Sequence, residues 1–300
     1  MPKKSAFTMI ELVMVIVVMG IVASIGADII VKLYENYIKT RAINRLQAQT
    51  ELVLNQISKR LDSRIRDSVI ARSKTNYLTY VPLTDANDSY QVLEWIGKDT
   101  DSFKGTPNPG WSGFIDLDNP ATTNPTLKTI GSDFNYTNTI ISALSNNEVN
   151  MSSASTLNKP AIIFKGNSVF NLEDYGWNGV DGNYTHKVSY IVGTEDVMNL
   201  TEPNATKPSE IFEQYDFAWS AYAIVPEGSA NDFNLTLHYN YQPWENERYD
   251  QNSTSSTLIE HVSTFKFTKI GDTIRLKLCI HDNNQSGNYD FAFCKEKVVY

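Results

Sequence analysis

Lys3-Lys4-Ser5-Ala6-Phe7-Thr8-Met9-Ile10-Glu11-Leu12-Val13-Met14-Val15-Ile16-Val17-Val18-Met19-Gly20 is the stretch whose reading decides the architecture. Lys3 and Lys4 make a short positive start, and from Phe7 to Ala27 Glu11 is the sole charge. A cleaved secretory signal has a longer lead, a shorter apolar core and its cut after that core. Here the small residue, Ala6, comes before the core, so a cut there keeps the apolar run in the mature chain. At a rise of 1.5 Å per residue the run makes roughly 31 Å of helix, enough to cross a bilayer. The excess of positive charge ahead of the span places the leader in the cytoplasm and exports the chain beyond Asp28. The expected topology is therefore single-pass, with the large C-terminal part on the far side of the membrane from the leader.

Apolar periodicity continues beyond the span. From Lys32 to about Ser73 there is neither Pro nor Gly, and Leu46, Val53, Ile57, Leu61, Ile65 and Val69 recur at spacings of mostly four. That pattern predicts one amphipathic stripe and a single helix from Phe7 to Ser73, roughly 100 Å long. The basic residues Lys59, Arg60, Arg64, Arg66, Arg72 and Lys74 alternate there with Asp62 and Asp67 and read as a solvated face.

These residues resemble the prepilin family, the subunits of type IV pili and of the type II secretion pseudopilus. The family's signature is a short basic leader, a small residue and Phe-Thr-Leu-Ile-Glu-Leu; here Lys3-Lys4-Ser5-Ala6 precede Phe7-Thr8-Met9-Ile10-Glu11-Leu12. Ala6 stands where the family usually has Gly, and Asp28 lies where many members have Pro. The resemblance implies a cut by prepilin peptidase between Ala6 and Phe7, and N-methylation of Phe7. With the topology above it implies the bacterial inner membrane, single-pass, with the C-terminal domain periplasmic, and a surface filament after assembly. It implies that Glu11 faces the amino group of a neighbouring subunit, and that Gly20 helps the helix loosen or pack. A carboxylate within a membrane helix costs about 2.5–3.5 kcal/mol, which by itself calls for a partner or for snorkelling to the interface.

After Lys74, Gly, Pro, Asn, Asp, Ser and Thr punctuate short β-branched and aromatic runs. Predicted strands are Tyr77–Pro82, Gln91–Ile96, Gly113–Leu117, Ala161–Lys165, Lys187–Val192, Phe217–Val225, Phe233–Tyr241, Val262–Lys269, Thr273–Ile280 and Tyr289–Cys294. The predicted fold is α+β and pilin-like: leader 1–6, membrane or filament-core helix 7–31, amphipathic helix 32–73, and a β-rich domain 74–300 with a loop-rich insertion around 97–160. The domain's size favours a minor subunit. Its expected partners are other pilins or pseudopilins, prepilin peptidase and the inner-membrane assembly platform. A net charge of −8 without a strong basic tract argues against nucleic acid.

Two cysteines, Cys279 and Cys294, fit one disulfide in an oxidising compartment, and the placement looks like the C-terminal loop that pilins close. A zinc site would need third and fourth ligands that no recognisable spacing supplies. Nine Asn-X-Ser/Thr triplets occur, and in eight the residue two before the Asn is acidic, against about one expected by chance. The pentad is similar to the acceptor of bacterial oligosaccharyltransferases, which disfavours Pro203 before Asn204. The candidates for glycosylation are then Asn87, Asn135, Asn150, Asn183, Asn234, Asn252 and Asn284; the competing account is that Asp, Asn and Thr share turns. Asp282, Asn284, Ser286 and Asp290 match the first half of a Ca²⁺ loop, without its closing Glu. No other cofactor is expected. No catalytic motif appears: His186, His238, His261 and His281 form no close ligand pair, and the reading is not an enzyme. The alternative to a filament subunit is a membrane-anchored adhesin or glycan-binding module using its aromatics, including Trp95, Trp111, Trp177, Trp219 and Trp244. Core packing competes for those tryptophans.

Overall fold

The structure, a computed structural model, describes residues 8–166, 171–180, 182–201, 208, 210–282 and 292–300. Helix α1, Met9–Asp62, runs unbroken through Gly20, Gly26 and Asp28 for roughly 80 Å. Its second half buries Ala42, Leu46, Thr50, Val53, Leu54, Ile57, Ser58 and Leu61, the stripe that the spacing of four predicts.

The helix stops at Asp62 rather than Ser73. Beyond it Arg64, itself buried, turns back and donates from Nη1 to the Leu61 carbonyl at 2.7 Å, at the negative end of the helix. The apolar spacing persists past this point, but the side chains change sides. Leu61 and Val69 belong to one core and Ile65 and Ile70 to another, which a single helical stripe cannot serve. The segment therefore opens into β1, Ile70–Arg72, with all three residues buried.

Next in the chain come β2 (Tyr80–Pro82), β3 (Val92–Gly97), β4 (Thr126–Lys128), α2 (Phe134–Leu144), β5 (Ala161–Phe164), β6 (His186–Tyr190) and β7 (Val197–Leu200). The remaining strands are β8 (Tyr215–Ala218), β9 (Ser220–Ser229), β10 (Asp232–Tyr241), β11 (Thr254–Ile270), β12 (Thr273–His281) and β13 (Ala292–Val299). They form two antiparallel sheets, ordered β13-β12-β11-β10-β9-β3-β1-β2 and β4-β7-β6-β5-β8. The expected strand Phe217–Val225 is split at Trp219, where the chain leaves the second sheet for the first.

Period-two alternation sorts the layers. On β3, Leu93 and Trp95 face the core beneath α1, while Val92 and Ile96 face the core shared with the second sheet. On β5, Ala161 and Ile163 join that shared core, while Ile162 and Phe164 face a third core under α2 with Phe134 and Ile141. The order is thus helix, sheet, sheet, helix. The expected loop-rich insertion contains β4 and α2, and the expected strand Gly113–Leu117 makes only isolated bridges at Phe114 and Ile115.

Candidate anchoring and assembly helix

From Met9 to Val31, sixteen large apolar side chains of α1 lie in the open, with exposures from 51% at Val15 to 88% at Met9. Withdrawing a Val, Leu, Ile or Met from water stabilises by about 1.5–3 kcal/mol, so this face amounts to about 25–50 kcal/mol. A domain's net stability is about 5–15 kcal/mol, so a face this size does not stay in water. It needs lipid or other helices around it. Tyr34 and Tyr37, also exposed, stand where the charges Lys32, Glu35, Lys39 and Arg41 begin.

At the start of the helix, Thr8 and Glu11 form a reciprocal cap. The Glu11 N–H donates to Thr8 Oγ1 at 3.4 Å, and Glu11 Oε2 accepts from the Thr8 N–H at 3.2 Å and its hydroxyl at 3.0 Å. The carboxylate thus satisfies two donors at the positive end of the helix. Ala6 and Phe7 lie outside the described residues. Gly20 has open space where a Cβ would be.

The exposed rod is fixed to the domain by more than its apolar stripe. Arg45 Nη2 donates to buried Asp282 at 2.6 Å, and Lys295 Nζ donates to Glu51 at 2.8 Å. That Lys295 hydrogen bond and charge pull the Glu51 carboxyl below its ordinary range. Arg64 adds bonds to the carbonyls of Tyr300 (3.2 Å) and Asp272 (3.3 Å).

The basic run does not form a uniformly solvated face. Arg72 is fully buried, with Nε on Glu94 Oε2 at 2.5 Å, Nη1 on the Tyr77 carbonyl and Nη2 on the Trp177 carbonyl at 3.1 Å. Glu94 Oε1 accepts from the Tyr241 hydroxyl at 2.8 Å. Burial alone draws the Arg72 guanidinium down, but Glu94, Tyr77 and Tyr241 together hold it above its ordinary value. Burial, with the Glu94 charge beside it, also drives the Tyr241 hydroxyl well up. Sequence reasoning missed this pair; its only trace was an acid in the middle of an apolar strand.

Cys279 and Cys294 are bonded, and they are direct partners across β12 and β13 with Cα atoms 4.0 Å apart. All five tryptophans are buried, Trp219 least at 8%, so they pack the cores rather than form a sugar-stacking surface. Asp282 already engages Arg45, whereas Asn284, Ser286 and Asp290 lie outside the described residues. Among the described residues no three His, Cys, Asp or Glu side chains converge as metal ligands. His238 faces the Tyr249 carbonyl, Ser253 and Glu227, and His261 faces Asp232.

The sequons fall in different settings. Asn87 and Asn252 occupy exposed turns, Asn135 the first turn of α2, Asn150 a loop, Asn183 the approach to β6, and Asn234 the body of β10. Asn284 lies outside the described residues.

Residues 1–27 match the family model described as the prokaryotic N-terminal methylation motif. The chain thus carries the type IV pilin signal, and its continuation is the exposed apolar helix described above. That combination is the one found in membrane-anchored, single-pass, pilin-like exported proteins. No curated protein and no solved structure matches the chain.

Proposed function

We propose that the chain is a structural subunit, a large minor pilin or pseudopilin, of a type IV pilus or type II secretion pseudopilus. The observation that carries this reading is the methylation motif running directly into a helix whose apolar face none of the described residues covers. A prepilin peptidase cuts between Ala6 and Phe7, and Phe7 becomes the N-methylated first residue. Before assembly the helix spans the inner membrane, and Tyr34 and Tyr37 lie at the depth of an aromatic belt. The domain is periplasmic, which suits the Cys279–Cys294 bond.

On assembly, neighbouring subunit helices replace lipid around α1. Glu11 then meets the amino group of a neighbour's Phe7. The carboxylate already lies at the positive end of the helix and accepts from the Thr8 N–H and hydroxyl, so the pairing exchanges one set of donors for another. Export also brings the acidic Asn-X-Ser/Thr pentads within reach of an oligosaccharyltransferase.

The test is the intact mass and N-terminal peptide of the protein from its native host. A chain starting at methylated Phe7 supports the reading. A chain that keeps Met1, or one cut after Ala27, overturns it.

A further inference from the structure

We propose that two of the acidic pentads, Asp85-Ala86-Asn87-Asp88-Ser89 and Asp250-Gln251-Asn252-Ser253-Thr254, are N-glycosylation sites of the folded domain. The donor is a glycan carried on a lipid diphosphate. The proposal rests on the export reading above. Transfer forms a bond from Asn Nδ2 to the anomeric carbon of the first sugar and breaks that carbon's bond to the diphosphate oxygen. The lipid diphosphate leaves, and one amide proton passes to a base on the transferase.

A transferase that reads an acid, an asparagine and a hydroxyl over five residues must draw all five into its own groove. The segment therefore has to leave its packing. Exposed turns and loop tips allow this, and paired or buried backbone does not.

Burial around the asparagine divides the described pentads. Around Asn135, Phe134 and Thr137 are fully buried in α2, and Asp133 is engaged as the helix cap, accepting from the Tyr136 N–H at 2.9 Å. Around Asn150, Val149 and Met151 are fully buried. Beside Asn183, Tyr184 and Thr185 are buried, and the Asn183 Nδ2 donates to Asp174 at 3.1 Å. Asn234 lies within β10, between β9 and β11, with Leu235 and Thr236 buried. Each of the four has a buried residue beside the asparagine, at the hydroxyl position, or at both.

The remaining two have none. Asn87, with Asp85, Asp88 and Ser89, is exposed on the turn between β2 and β3, and only Ala86 is half-buried. Asn252, with Asp250 and Gln251, is exposed on the turn that leads into β11; Ser253 is half-buried, and Thr254, exposed, is the first residue of β11, where it pairs with Tyr239 of β10. The bonds to be given up are few. At Asn87 they are Ser89 N–H to Asn87 Oδ1 at 2.9 Å, Tyr90 N–H to the Asn87 carbonyl at 3.0 Å, and the ion pair of Asp88 with Lys266 of β11. At Asn252 they are Arg248 N–H to Asn252 Oδ1 at 3.2 Å, Arg248 to Asp250 at 2.6 Å, and the Ser253 hydroxyl's contacts with His238 Nδ1 at 2.7 Å and the Tyr249 carbonyl.

Site-resolved glycopeptide mass spectrometry on the full chain from its native host tests the proposal. The redox state of Cys279 and Cys294 is read in the same sample by differential alkylation. Glycan is expected on Asn87 and Asn252, with Asn135, Asn150, Asn183 and Asn234 bare. Asp85→Ala should remove the glycan from Asn87 alone, and Asp250→Ala from Asn252 alone. A bridged chain bare at both sites overturns the proposal and leaves the export reading standing. Glycan on the four packed asparagines overturns it too, because transfer then precedes folding. A chain with both cysteines reduced was not exported, which overturns the export reading and this proposal with it.

Discussion

Replacing Glu94 by glutamine should destabilise the domain by about 3–5 kcal/mol, the cost of leaving one partner of a buried ion pair without its counter-charge. The substitution preserves shape and removes charge. Arg72 is fully buried and its two Nη groups are committed to the Tyr77 and Trp177 carbonyls, so the guanidinium cannot turn outward to find water. The rings of Tyr77 and Tyr80 lie 3.9 Å and 4.9 Å from its centre, and they supply only part of what the carboxylate supplied. Tyr241 keeps an acceptor only if the amide presents its oxygen to it, and the amide nitrogen then faces Arg72 Nε, donor against donor. Urea unfolding of the detergent-solubilised full chain, monitored by tryptophan fluorescence, reads the loss directly. At about 2–4 °C per kcal/mol for a domain of this size, the melting temperature should fall by roughly 6–20 °C. The double variant Arg72→Met/Glu94→Leu should recover part of the loss, because it removes both charges; the two carbonyls left without donors and the Tyr241 hydroxyl left without its acceptor limit the recovery. A Glu94→Gln protein within about 1 kcal/mol of the parent would refute the claim that the pair is sealed from water.

Other parts of the molecule give three further expected outcomes. Glu11→Leu should leave cleavage and domain melting unchanged, because among the described residues the Glu11 carboxylate bonds only Thr8, one turn away and far from the domain, yet should remove the chain from sheared filaments; filament incorporation at the parental level would contradict the assembly role. Converting Cys279 and Cys294 together to serine should cost about 3 kcal/mol, the chain-entropy value for a loop of this length, read as a fall in melting temperature matched by reducing the parent. Burial raises the Asp99 carboxyl against the lowering effect of bonds from Ser102, Asp101 and Trp111, so its stabilising contribution is present below the usual carboxylate range and is lost as pH rises through the raised value. Asp99→Asn should therefore flatten that part of the stability–pH curve. It should also lower stability at neutral pH, because all four donors to Asp99 need acceptor oxygens; a variant with the parental slope would exclude Asp99 as its source.

Which features were legible in the sequence depended on how far apart the determining residues lie. The N-terminal span is written in consecutive residues, and the α1 stripe repeats locally, so both could be read directly. The end of α1 could not. Ile65 and Val69 keep the spacing of Leu61, and only the sheet that separates their cores shows that they part company. Strands β10 to β12 alternate strongly and pair with sequence neighbours, and they were anticipated. β4 and β7 were not, because three residues such as Thr126–Lys128 become a strand only when Val197–Asn199 arrive beside them. Arg72 looked solvated for the same reason: its partner stands on a different strand.

The pentads show how one local pattern can serve two purposes. Asp133-Phe134-Asn135 reads like an acceptor, but the structure employs Asp133 as the cap of α2. Asp85 and Asp250 have no such helix to start, and their asparagines stand on exposed turns. Composition cannot separate the two uses, since both need a short acid followed by small polar residues. Burial of the neighbours separates them. The same reasoning applies to α1: its two halves share a helix, and what distinguishes assembly face from core stripe is whether the chain itself supplies a cover. For Leu46 to Leu61 it does, through β11, β12 and β13, and for Met9 to Val31 none of the described residues does. The work of the first half must therefore be done with lipid or with other helices, and the second half holds the domain in place while it is done.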